Sequence, residues 1–233
     1  MLSIIIPAHD EAALIGATLA ALRTAVGTLQ LEYEILVVDD ASTDGTAAIA
    51  TAHGARALRV AHRQIAATRN AGAAATVGDR LLFVDADTLV DATLLAAAMA
   101  AMDRGVIGGG CRVRLAGQVR WRERVFTAAL MHVFRWVKIA PGCFLFCTRA
   151  AFDAVGGFDQ RWYAGEDVAM SRALAAHGRF EILREPVLTS DRKLRTFSAR
   201  EHFGLLWRLL RGGRNILRSR EGLDLWYDRR DQE

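Results

Sequence analysis

Residues 2–11 read LSIIIPAHDE, a hydrophobic run that stops at a proline and gives way to polar and acidic residues. A short β-branched run of this kind is typical of a buried strand. The pattern returns in VVDDASTDGT at residues 37–46 and in LLFVDAD at residues 81–87. Three buried strands that each end in carboxylates predict a sheet with one acidic edge.

The segments between these strands have helical spacing. Apolar residues from Leu14 to Val26 recur every three or four positions, and Gly27 ends the pattern. Further helices are predicted from Thr46 to about Gly54, over about residues 64–77 and from Asp91 to about Gly105, with a third strand over about residues 57–61. Strands that alternate with helices require right-handed crossovers, so we expect an α/β fold with a mostly parallel sheet covered on both faces.

The pattern changes after Gly110. The glycines at 108–110 indicate a strand kink or a close approach of two backbones. The remaining predictions are an amphipathic, arginine-rich helix over residues 121–138, a strand over 143–148, a short helix over 151–155, and a helix over 168–177.

Composition narrows the class of protein. Of 233 residues, 52% are hydrophobic and 24% are charged, which excludes a wholly disordered chain. No stretch reaches the roughly 20 apolar residues that cross a bilayer, and the N-terminus lacks the features of a secretory signal. Three cysteines are too few for a disulfide framework or a four-ligand zinc site, so we expect a reducing cytoplasm. A net charge of +4 admits an anionic partner, but no module for nucleic acid is visible.

The acidic strand ends indicate a ligand site. In an open α/β sheet, ligands bind beyond the carboxyl ends of the strands, where residues 9–11, 39–40 and 85–87 are expected to meet. Carboxylates placed together repel unless a cation or hydrogen-bond donors lie between them. Asp85 and Asp87 share one side of an extended segment, which suits a hard divalent cation bound together with phosphates. The alternative is that Asp85 caps the strand and Asp87 caps the next turn.

The glycine-rich signatures of dinucleotide-binding Rossmann sites and of P-loops are absent from the sequence. Five other motifs, in order, resemble those of family 2 glycosyltransferases with the GT-A fold, and the match extends to about His177. They are residues 3–11 (SIIIPAHDE), 37–46 (VVDDASTDGT), 69–72 (RNAG), 83–88 (FVDADT) and 156–167 (GGFD…GED). The resemblance implies a Rossmann-like sheet with a C-terminal helical extension. It also implies a nucleotide-diphosphate-sugar donor, a Mg²⁺ or Mn²⁺ ion, and transfer to an acceptor hydroxyl with inversion.

The resemblance implies roles for the donor-binding residues. Pro7, Ala8 and Glu11 should line the nucleoside pocket. Asp40 should hydrogen-bond the base, which favours a UDP-sugar. Arg69 should approach the nucleotide or the diphosphate, although Arg69 and Asn70 could instead form a solvated helix face with a contact at the helix end.

The metal and the catalytic base are implied in the same way. Asp85 should contact the ribose or the sugar, and Asp85 and Asp87 should hold the metal. Asp167 matches the family's catalytic base, with Glu166 beside it. The alternative is that these two acids cap the helix that begins near Val168 and interact with its dipole.

The sequence also suggests roles for polar residues outside the donor and base positions. Family members with a third protein ligand to the metal usually take it from a histidine after the base, and the options here are His177 and His202. A loop over residues 189–195 could close over the diphosphate, with its basic residues screening charge. Three aspartates are predicted to be turn and cap residues and two cysteines to be buried thiols: Asp10, Asp44, Asp159, Cys143 and Cys147.

The resemblance divides the chain into a glycosyltransferase domain over residues 1–197 and an amphipathic basic extension over 198–233. Within the domain, residues 1–110 form the nucleotide-sugar-binding half and residues 111–197 the acceptor and catalytic half. Apolar residues mixed with arginine in the predicted helix and in the extension suit packing on the domain. The alternatives are an anionic membrane surface on the inner face, which would favour a lipid-linked or cell-envelope acceptor, and a homodimer.

Two other functions remain open from the sequence. One is a subunit that binds a nucleotide sugar without turning it over, which the intact Asp87 and Asp167 argue against. The other is a nucleotidyltransferase, which usually needs a glycine-rich and basic phosphate loop after the first strand. Residues 9–11 are acidic there instead.

Overall fold

The computed structural model describes residues 1–115 and 139–189. Within these ranges eight strands form one sheet. They are β1 (Leu2–Ala8), β2 (Tyr33–Asp40), β3 (Arg56–Val60), β4 (Arg80–Val84), β5 (Thr88–Leu89), β6 (Gly108–Leu115), β7 (Phe144–Thr148) and β8 (Phe180–Thr189). Their order across the sheet is β3-β2-β1-β4-β7-β6-β8-β5.

The first four strands of this order are parallel, as the sequence predicted. Ile4 of β1 lies opposite Ile35 of β2 and Leu82 of β4, and β2 continues the parallel pairing to β3. Because all four strands run in one direction, the acidic residues that follow β1, β2 and β4 emerge at the same edge of the sheet.

The other strands join the residues after 138 to this parallel unit. Strand β7 pairs antiparallel with both β4 and β6, β8 is parallel to β6, and the short β5 is antiparallel to β8. Strand β6 contains the boundary between residues 110 and 111 that the sequence predicted. The two halves expected from the sequence therefore share one sheet. The sequence analysis did not predict β5, β6 or β8.

The three glycines at the start of β6 allow backbones to approach closely, which confirms that interpretation of residues 108–110. A Cβ atom on Gly109 would lie 2.1 Å from the carbonyl oxygen of Glu181, and one on Gly110 would lie 2.5 Å from the Cβ of Ala140. Side chains at these positions would therefore force β8 and the segment before β7 away from β6.

The helices within the described ranges agree with the predicted ones to within a few residues. They are α1 (Ile15–Thr28), α2 (Thr46–Ala52), α3 (Ile65–Ala74), α4 (Ala92–Asp103), α5 (Arg149–Ala154) and α6 (Glu166–His177). The side chain of Asp91 accepts a hydrogen bond from the backbone N of Leu94 at 2.8 Å, which confirms Asp91 as the cap of α4.

Helices cover both faces of the sheet. Successive residues of β1 point to opposite faces, so Ile4 and Ile6 pack on one side and Ile5 on the other. The first side is covered by α1 and α4, and the second by α3, α5 and α6. Each isoleucine here is fully buried and stabilises the fold by about 1.5–3 kcal/mol.

Helix α3 is fixed against the parallel strands. A Cβ on Gly72 would lie 2.4 Å from Cγ2 of Ile5, so the helix backbone rests directly on β1. At its N-terminal end, the backbone N of Gln64 donates to Asp40 Oδ2 at 3.2 Å. At its C-terminal end, the guanidinium of Arg149 donates to the carbonyl oxygens of Ala73 and Thr76 at 2.9 and 2.8 Å.

Several predictions fall on other parts of the chain. The amphipathic helix over 121–138, the loop beyond Thr189, the extension over 198–233 and His202 lie outside the described residues. Among the helices of residues 1–115 and 139–189, none has the length and apolar content needed to cross a membrane.

Candidate functional site

The loops that follow β1 and β2 are tied to each other at the acidic edge. The backbone N of Asp10 donates to Ser42 Oγ at 2.9 Å, and Asp10 Oδ1 accepts from the backbone N of Thr43 at 2.7 Å. Asp44 Oδ2 accepts from the backbone N of Ala12 at 3.1 Å. Asp10 and Asp44 are therefore turn residues, as predicted, and they hold the two loops as one surface.

The residues expected to line the nucleoside pocket lie along this surface. Pro7 and Ala8 are the buried last residues of β1, and Ala8 lies opposite Asp39 of β2. Glu11 is half-buried, and its backbone N donates to Thr46 Oγ1 at 2.9 Å. The structure thus brings the ends of β1 and β2 together, and the lining of a nucleoside pocket by these residues stays a prediction.

Asp40 is buried and points towards the start of helix α3. Its Oδ1 accepts from the backbone N of Arg63 at 2.8 Å, and its Oδ2 accepts from the backbone N of Gln64 and from Thr68 Oγ1 at 2.9 Å. Both carboxylate oxygens of Asp40 therefore hold the N-terminal end of α3. A hydrogen bond that a nucleoside base donates to Asp40 remains a prediction.

Arg69 lies inside the protein, and its side chain is 2% exposed. Its Nη1 donates to Glu166 Oε1 at 2.7 Å, and its Nη2 donates to Asp85 Oδ1 at 3.0 Å and to the carbonyl oxygen of Gly142 at 3.0 Å. These contacts exclude the alternative of a solvated helix face. They place Arg69 beneath the acidic edge, where it joins the end of β4 to the start of α6.

The carboxylates around Arg69 outnumber its single positive charge. Although burial opposes the charged form, Asp85, Glu166 and Asp167 raise the pKa of Arg69 above its ordinary value. Burial, followed by the charge of Asp167, raises the pKa of Glu166 to about 7. Burial also raises the pKa of Asp167, and the charge of Asp85 adds to this effect, while Arg69 opposes it. The excess negative charge makes this edge a favourable place for a cation.

The backbone of Gly142 and Cys143 lies beside the end of β4. The backbone N of Asp85 donates to the carbonyl oxygen of Cys143 at 3.3 Å. Burial is the largest cause that raises the pKa of the Cys143 thiol well above its ordinary value, and the charge of Asp85 adds to it. A Cβ on Gly142 would lie 3.1 Å from Asp167 Oδ2, so the backbone before Cys143 contacts the predicted base. The structure therefore brings Asp85 and the predicted base Asp167 to one stretch of backbone, and Asp87 follows Asp85 two residues later.

Asp87 lies at the outer side of this site, half-buried. Its Oδ1 is 3.4 Å from Thr88 Oγ1 and 3.4 Å from Thr189 Oγ1, and these two hydroxyls are 2.9 Å apart. Thr189 is the last residue of β8, which the sequence analysis did not connect with the Asp-x-Asp pair. Strand β8 thus contributes directly to the surroundings of Asp87.

Asp85 and Asp87 are the only two carboxylates that the sequence assigned to a metal. Within residues 1–115 and 139–189 there is no group of three or more His, Cys, Asp and Glu side chains arranged to hold a metal. Two carboxylates fit the way in which Mg²⁺ is usually bound, with waters and substrate phosphates supplying the other oxygens. His177 is exposed at the far end of α6, about 15 Å from Asp167 by helix geometry. This distance rules out His177 as the third protein ligand to a metal beside Asp167.

The prediction of buried thiols is confirmed for Cys147 and holds in part for Cys143. Cys147 is fully buried, Cys143 is half-buried, and burial raises the pKa of both. Asp159 is a turn residue, as predicted. Its side chain accepts hydrogen bonds from Arg161 and from Trp162 Nε1, and the bond with Arg161 is the largest cause that lowers the pKa of Asp159 to about 2.

Asn70 of α3 and Gln64, the residue that precedes the helix, hold the segment before the predicted base, and sequence reasoning missed both contacts. Asn70 Nδ2 donates to the carbonyl oxygen of Phe158 at 2.8 Å, and the backbone N of Phe158 donates to Asn70 Oδ1 at 2.9 Å. Gln64 Nε2 donates to the carbonyl oxygen of Gln160 at 2.6 Å. The sequence held one indication of the first contact, because Asn70 and Phe158 each belong to one of the five family motifs.

Comparison with known proteins agrees with this arrangement. A family model described as Glycosyl transferase family 2 matches residues 3–156. Validoxylamine A glucosyltransferase from Streptomyces hygroscopicus subsp. jinggangensis (strain 5008) is 26% identical, and the match covers 76% of this chain and 52% of that protein. The chain therefore spans about half the length of this curated relative.

Solved structures share the fold. The mannosyltransferase PcManGT from Pyrobaculum calidifontis, in complex with GDP-Man and Mn²⁺, has a TM-score of 0.67 at 22% identity, covering 93% of this chain and 62% of that one. TarS 1-349 from S. aureus has a TM-score of 0.65 at 18% identity, covering 96% and 68%. Glucosyl-3-phosphoglycerate synthase from Mycobacterium tuberculosis, with Mn²⁺ and UDP, has a TM-score of 0.61 at 17% identity, covering 100% and 81%.

Proposed function

This chain belongs to glycosyl transferase family 2, and from that premise we propose that it moves a sugar from a nucleotide-diphosphate sugar to an acceptor hydroxyl with inversion. The observation that carries the proposal is that Asp85 and Asp167 lie on the same backbone turn at Gly142 and Cys143, where the guanidinium of Arg69 donates to Asp85 and to the carbonyl oxygen of Gly142. Such an arrangement combines a cation site with a carboxylate able to take a proton.

Asp167 is the proposed general base. It lies in the first turn of α6, where its Oδ1 accepts from the backbone N of Val168 at 2.8 Å, which fixes the direction of the carboxylate. An acceptor hydroxyl has to lose its proton as it attacks the anomeric carbon, and a positioned base typically contributes 10²–10⁴-fold to the rate. Because burial raises the pKa of Asp167, the carboxylate is a stronger base than an exposed aspartate.

Glu166 is proposed to act differently from its neighbour. It is 6% exposed, and its Oε1 accepts the hydrogen bond from Arg69 Nη1. A carboxylate held in the interior by an arginine is poorly placed to reach an acceptor. Glu166 therefore supports the first turn of α6 through Arg69, and the proton transfer belongs to Asp167.

The proposed metal ligands are Asp87 and Asp85, with Mg²⁺ or Mn²⁺ as the ion. When bound, such an ion supplies positive charge that offsets the charge of the departing nucleoside diphosphate. Asp85 Oδ1 accepts from Arg69 Nη2, so Arg69 orients one of the two ligands from below. Support for a divalent ion also comes from the Mn²⁺ in the PcManGT and glucosyl-3-phosphoglycerate synthase complexes.

The proposed donor site is the joined surface of the β1 and β2 ends, with Pro7, Ala8, Glu11 and Asp40. The resemblance to family 2 glycosyltransferases implies that Asp40 contacts the nucleoside base, and this role favours a UDP-sugar. The related structures hold both kinds of nucleotide, since TarS 1-349 was solved with UDP-GlcNAc and PcManGT with GDP-Man. The nucleoside therefore has to be determined by direct comparison of UDP and GDP.

The test has a binding step and a turnover step. Thermal shift with UDP, GDP and their sugars, each with Mn²⁺, should identify one nucleotide that raises the Tm, because a ligand of the native state stabilises it by mass action. Hydrolysis of the matching sugar donor should then be measured for the wild type and for Asp167→Asn.

We expect Asp167→Asn to keep the thermal shift and to lose hydrolysis by 10²–10⁴-fold. Asp103→Asn is the matched control, because Asp103 is exposed at the end of α4, where it pairs with Arg80 at 2.6 Å. A shift without hydrolysis in the wild type would identify a subunit that only binds the donor. No shift with any nucleotide would remove the proposal.

A further inference from the structure

Helix α3 contacts the segment 158–166, which leads to the proposed base, at three points. Asn70 is hydrogen-bonded to Phe158 at the beginning of this segment, and Gln64 to Gln160 at 2.6 Å in its first part. Arg69 is bonded to Glu166 at its end, at 2.7 Å. The segment is therefore attached along its length to a single helix.

The contact between Asn70 and Phe158 is reciprocal. The amide of Asn70 donates to the carbonyl oxygen of Phe158 at 2.8 Å and accepts from its backbone N at 2.9 Å, as a neighbouring strand would. The ring of Phe158 packs edge-on against Phe83 with centroids 5.0 Å apart, and the guanidinium carbon of Arg69 lies 5.2 Å from the same ring. Backbone and side chain of Phe158 are thus both fixed.

Gly157 makes room for this contact. Its φ of +72° lies in the left-handed region that glycine adopts without strain. A Cβ at this position would lie 2.8 Å from Asn70 Oδ1 and 3.0 Å from Cζ of Phe152. Glycine at 157 and asparagine at 70 therefore form one joint between the helix and the segment.

Helix α3 itself is a rigid support. Asp40 holds its first turn, Arg149 holds its last carbonyl groups, and Gly72 lets it rest on Ile5. Because the helix cannot easily shift, the position of the segment depends on the side chains that join the two. The first of these joints is Asn70.

We propose that Asn70 is a positioning residue for Asp167, an inference that rests on the proposed function. Asn70 acts through Phe158 and the segment that follows, and has no role in holding the donor. Loss of its two hydrogen bonds releases the beginning of the segment, while Arg69 still holds its end at Glu166. A displacement of about 1 Å at a reacting group can lower the rate as much as 10²-fold.

The experiment compares the donor hydrolysis of the full-length wild type and of Asn70→Ala, together with the Kd for the matching nucleoside diphosphate and Mn²⁺. We expect kcat to fall by about 10- to 100-fold. The Kd and the KM for the donor should change by less than about twofold, since Pro7, Ala8 and Asp40 are not contacted by Asn70. A residue that only stabilises the fold would lower the Tm without this separation of kcat from KM.

Ser3→Ala is the matched control. Ser3 is fully buried, and its hydroxyl makes two hydrogen bonds of 2.8 Å, to Glu34 Oε1 and from the backbone N of Gly78, at the end of β1 away from the site. It should lower the Tm to a similar extent and leave kcat unchanged. Equal kcat values for Asn70→Ala and wild type would overturn the positioning role.

Two further variants address the same joint. Gly157→Ala pushes a Cβ against Asn70 Oδ1, and Asn70→Asp keeps the acceptor for the Phe158 backbone N but loses the donor to its carbonyl oxygen. Both should reproduce the loss of kcat. If all three variants fail to fold while Ser3→Ala folds, Asn70 is purely structural and the inference is wrong. Absence of wild-type turnover would instead overturn the proposed function.

Discussion

Arg69 and Glu166 are 97 positions apart in the sequence, yet Nη1 of the arginine lies 2.7 Å from Oε1 of the glutamate in the protein interior. Both side chains are almost completely buried. This pair connects the helix that rests on β1 with the helix that carries Asp167. This interior ion pair therefore joins the donor edge to the helix of the proposed base at one end, while the Asn70–Phe158 contact joins them at the other.

Removal of Arg69 is expected to destabilise the protein strongly. Arg69→Met leaves Glu166 and Asp85 without their buried positive partner, and breaking a buried pair in this way typically costs about 3–5 kcal/mol. Urea unfolding gives the free energy of unfolding. Arg161→Met is the control, because the Arg161 side chain is exposed where it pairs with Asp159 and should contribute little to stability. Equal losses in the two variants would contradict the role assigned to Arg69.

The free energy of unfolding is expected to fall as the pH rises, because Glu166 loses its proton in the folded protein. Burial and Asp167 raise the folded-state pKa of Glu166 to about 7 from an ordinary value of 4.5. The folded protein therefore binds this proton more tightly than the unfolded chain. The stabilisation that this proton provides is fully present below pH 4.5 and is lost as the pH rises to about 7. The free energy of unfolding, measured from pH 4.5 to 8, should fall relative to that of Glu166→Gln, by on the order of 3 kcal/mol. Parallel curves for the two proteins would refute the assignment.

Asp87 is expected to set the requirement for a divalent ion. Treatment with EDTA should abolish donor hydrolysis, and Mn²⁺ or Mg²⁺ should restore it. Asp87→Asn should need at least about tenfold more Mn²⁺ for half-maximal rate, because one charged ligand is lost; the factor is an estimate from the effect of ligand shells on affinity. Asp91→Asn, a change at the nearby cap of α4 where asparagine is equally suitable, should titrate like the wild type. Full activity in EDTA would exclude the metal site.

Two glycine substitutions in helices should have opposite effects on stability. Gly72→Ala places a methyl group 2.4 Å from Ile5 Cγ2, and overpacking of this kind costs about 1–3 kcal/mol. Gly27→Ala in α1 meets no atom within 4 Å and should stabilise the protein by about 0.5–1 kcal/mol. Urea unfolding of both variants measures the difference. A stable Gly72→Ala protein would mean that α3 is not pressed against β1.

The local part of the fold could be predicted from the sequence. Strands β1, β2 and β4 are short apolar runs with clear ends, and parallel pairing places their acidic ends at one edge, so the meeting of residues 9–11, 39–40 and 85–87 follows from the pattern. The Asp-x-Asp pair was expected on one side of an extended segment. This geometry is wrong, because residues 85–88 form a turn in which the backbone N of Thr88 donates to the carbonyl oxygen of Asp85 at 3.2 Å. Caps and turns at Asp10, Asp44 and Asp91 were also predictable, since their partners are nearby residues or neighbouring loops.

The parts that could not be predicted depend on distant contacts. Strand β6 begins with three glycines, which have no strand propensity of their own, and its pairing with β7 and β8 decides its structure. Arg69 and Asn70 have the composition of a surface turn of helix, and only the return of residues 158–166 over α3 buries them. Sequence separation hides such contacts, because periodicity describes a segment and not its partner.

Strand β7 lies between β4 and β6 in the sheet, and its position limits where the chain can be truncated. A fragment that stops at residue 110 would leave the backbone groups of β4 without the neighbour that completes its pairing, and an open hydrophobic edge of this kind invites self-association. We expect such a truncation to precipitate when it is expressed alone. Coexpression with residues 111–233 should rescue it, because the missing strand can then be supplied in trans.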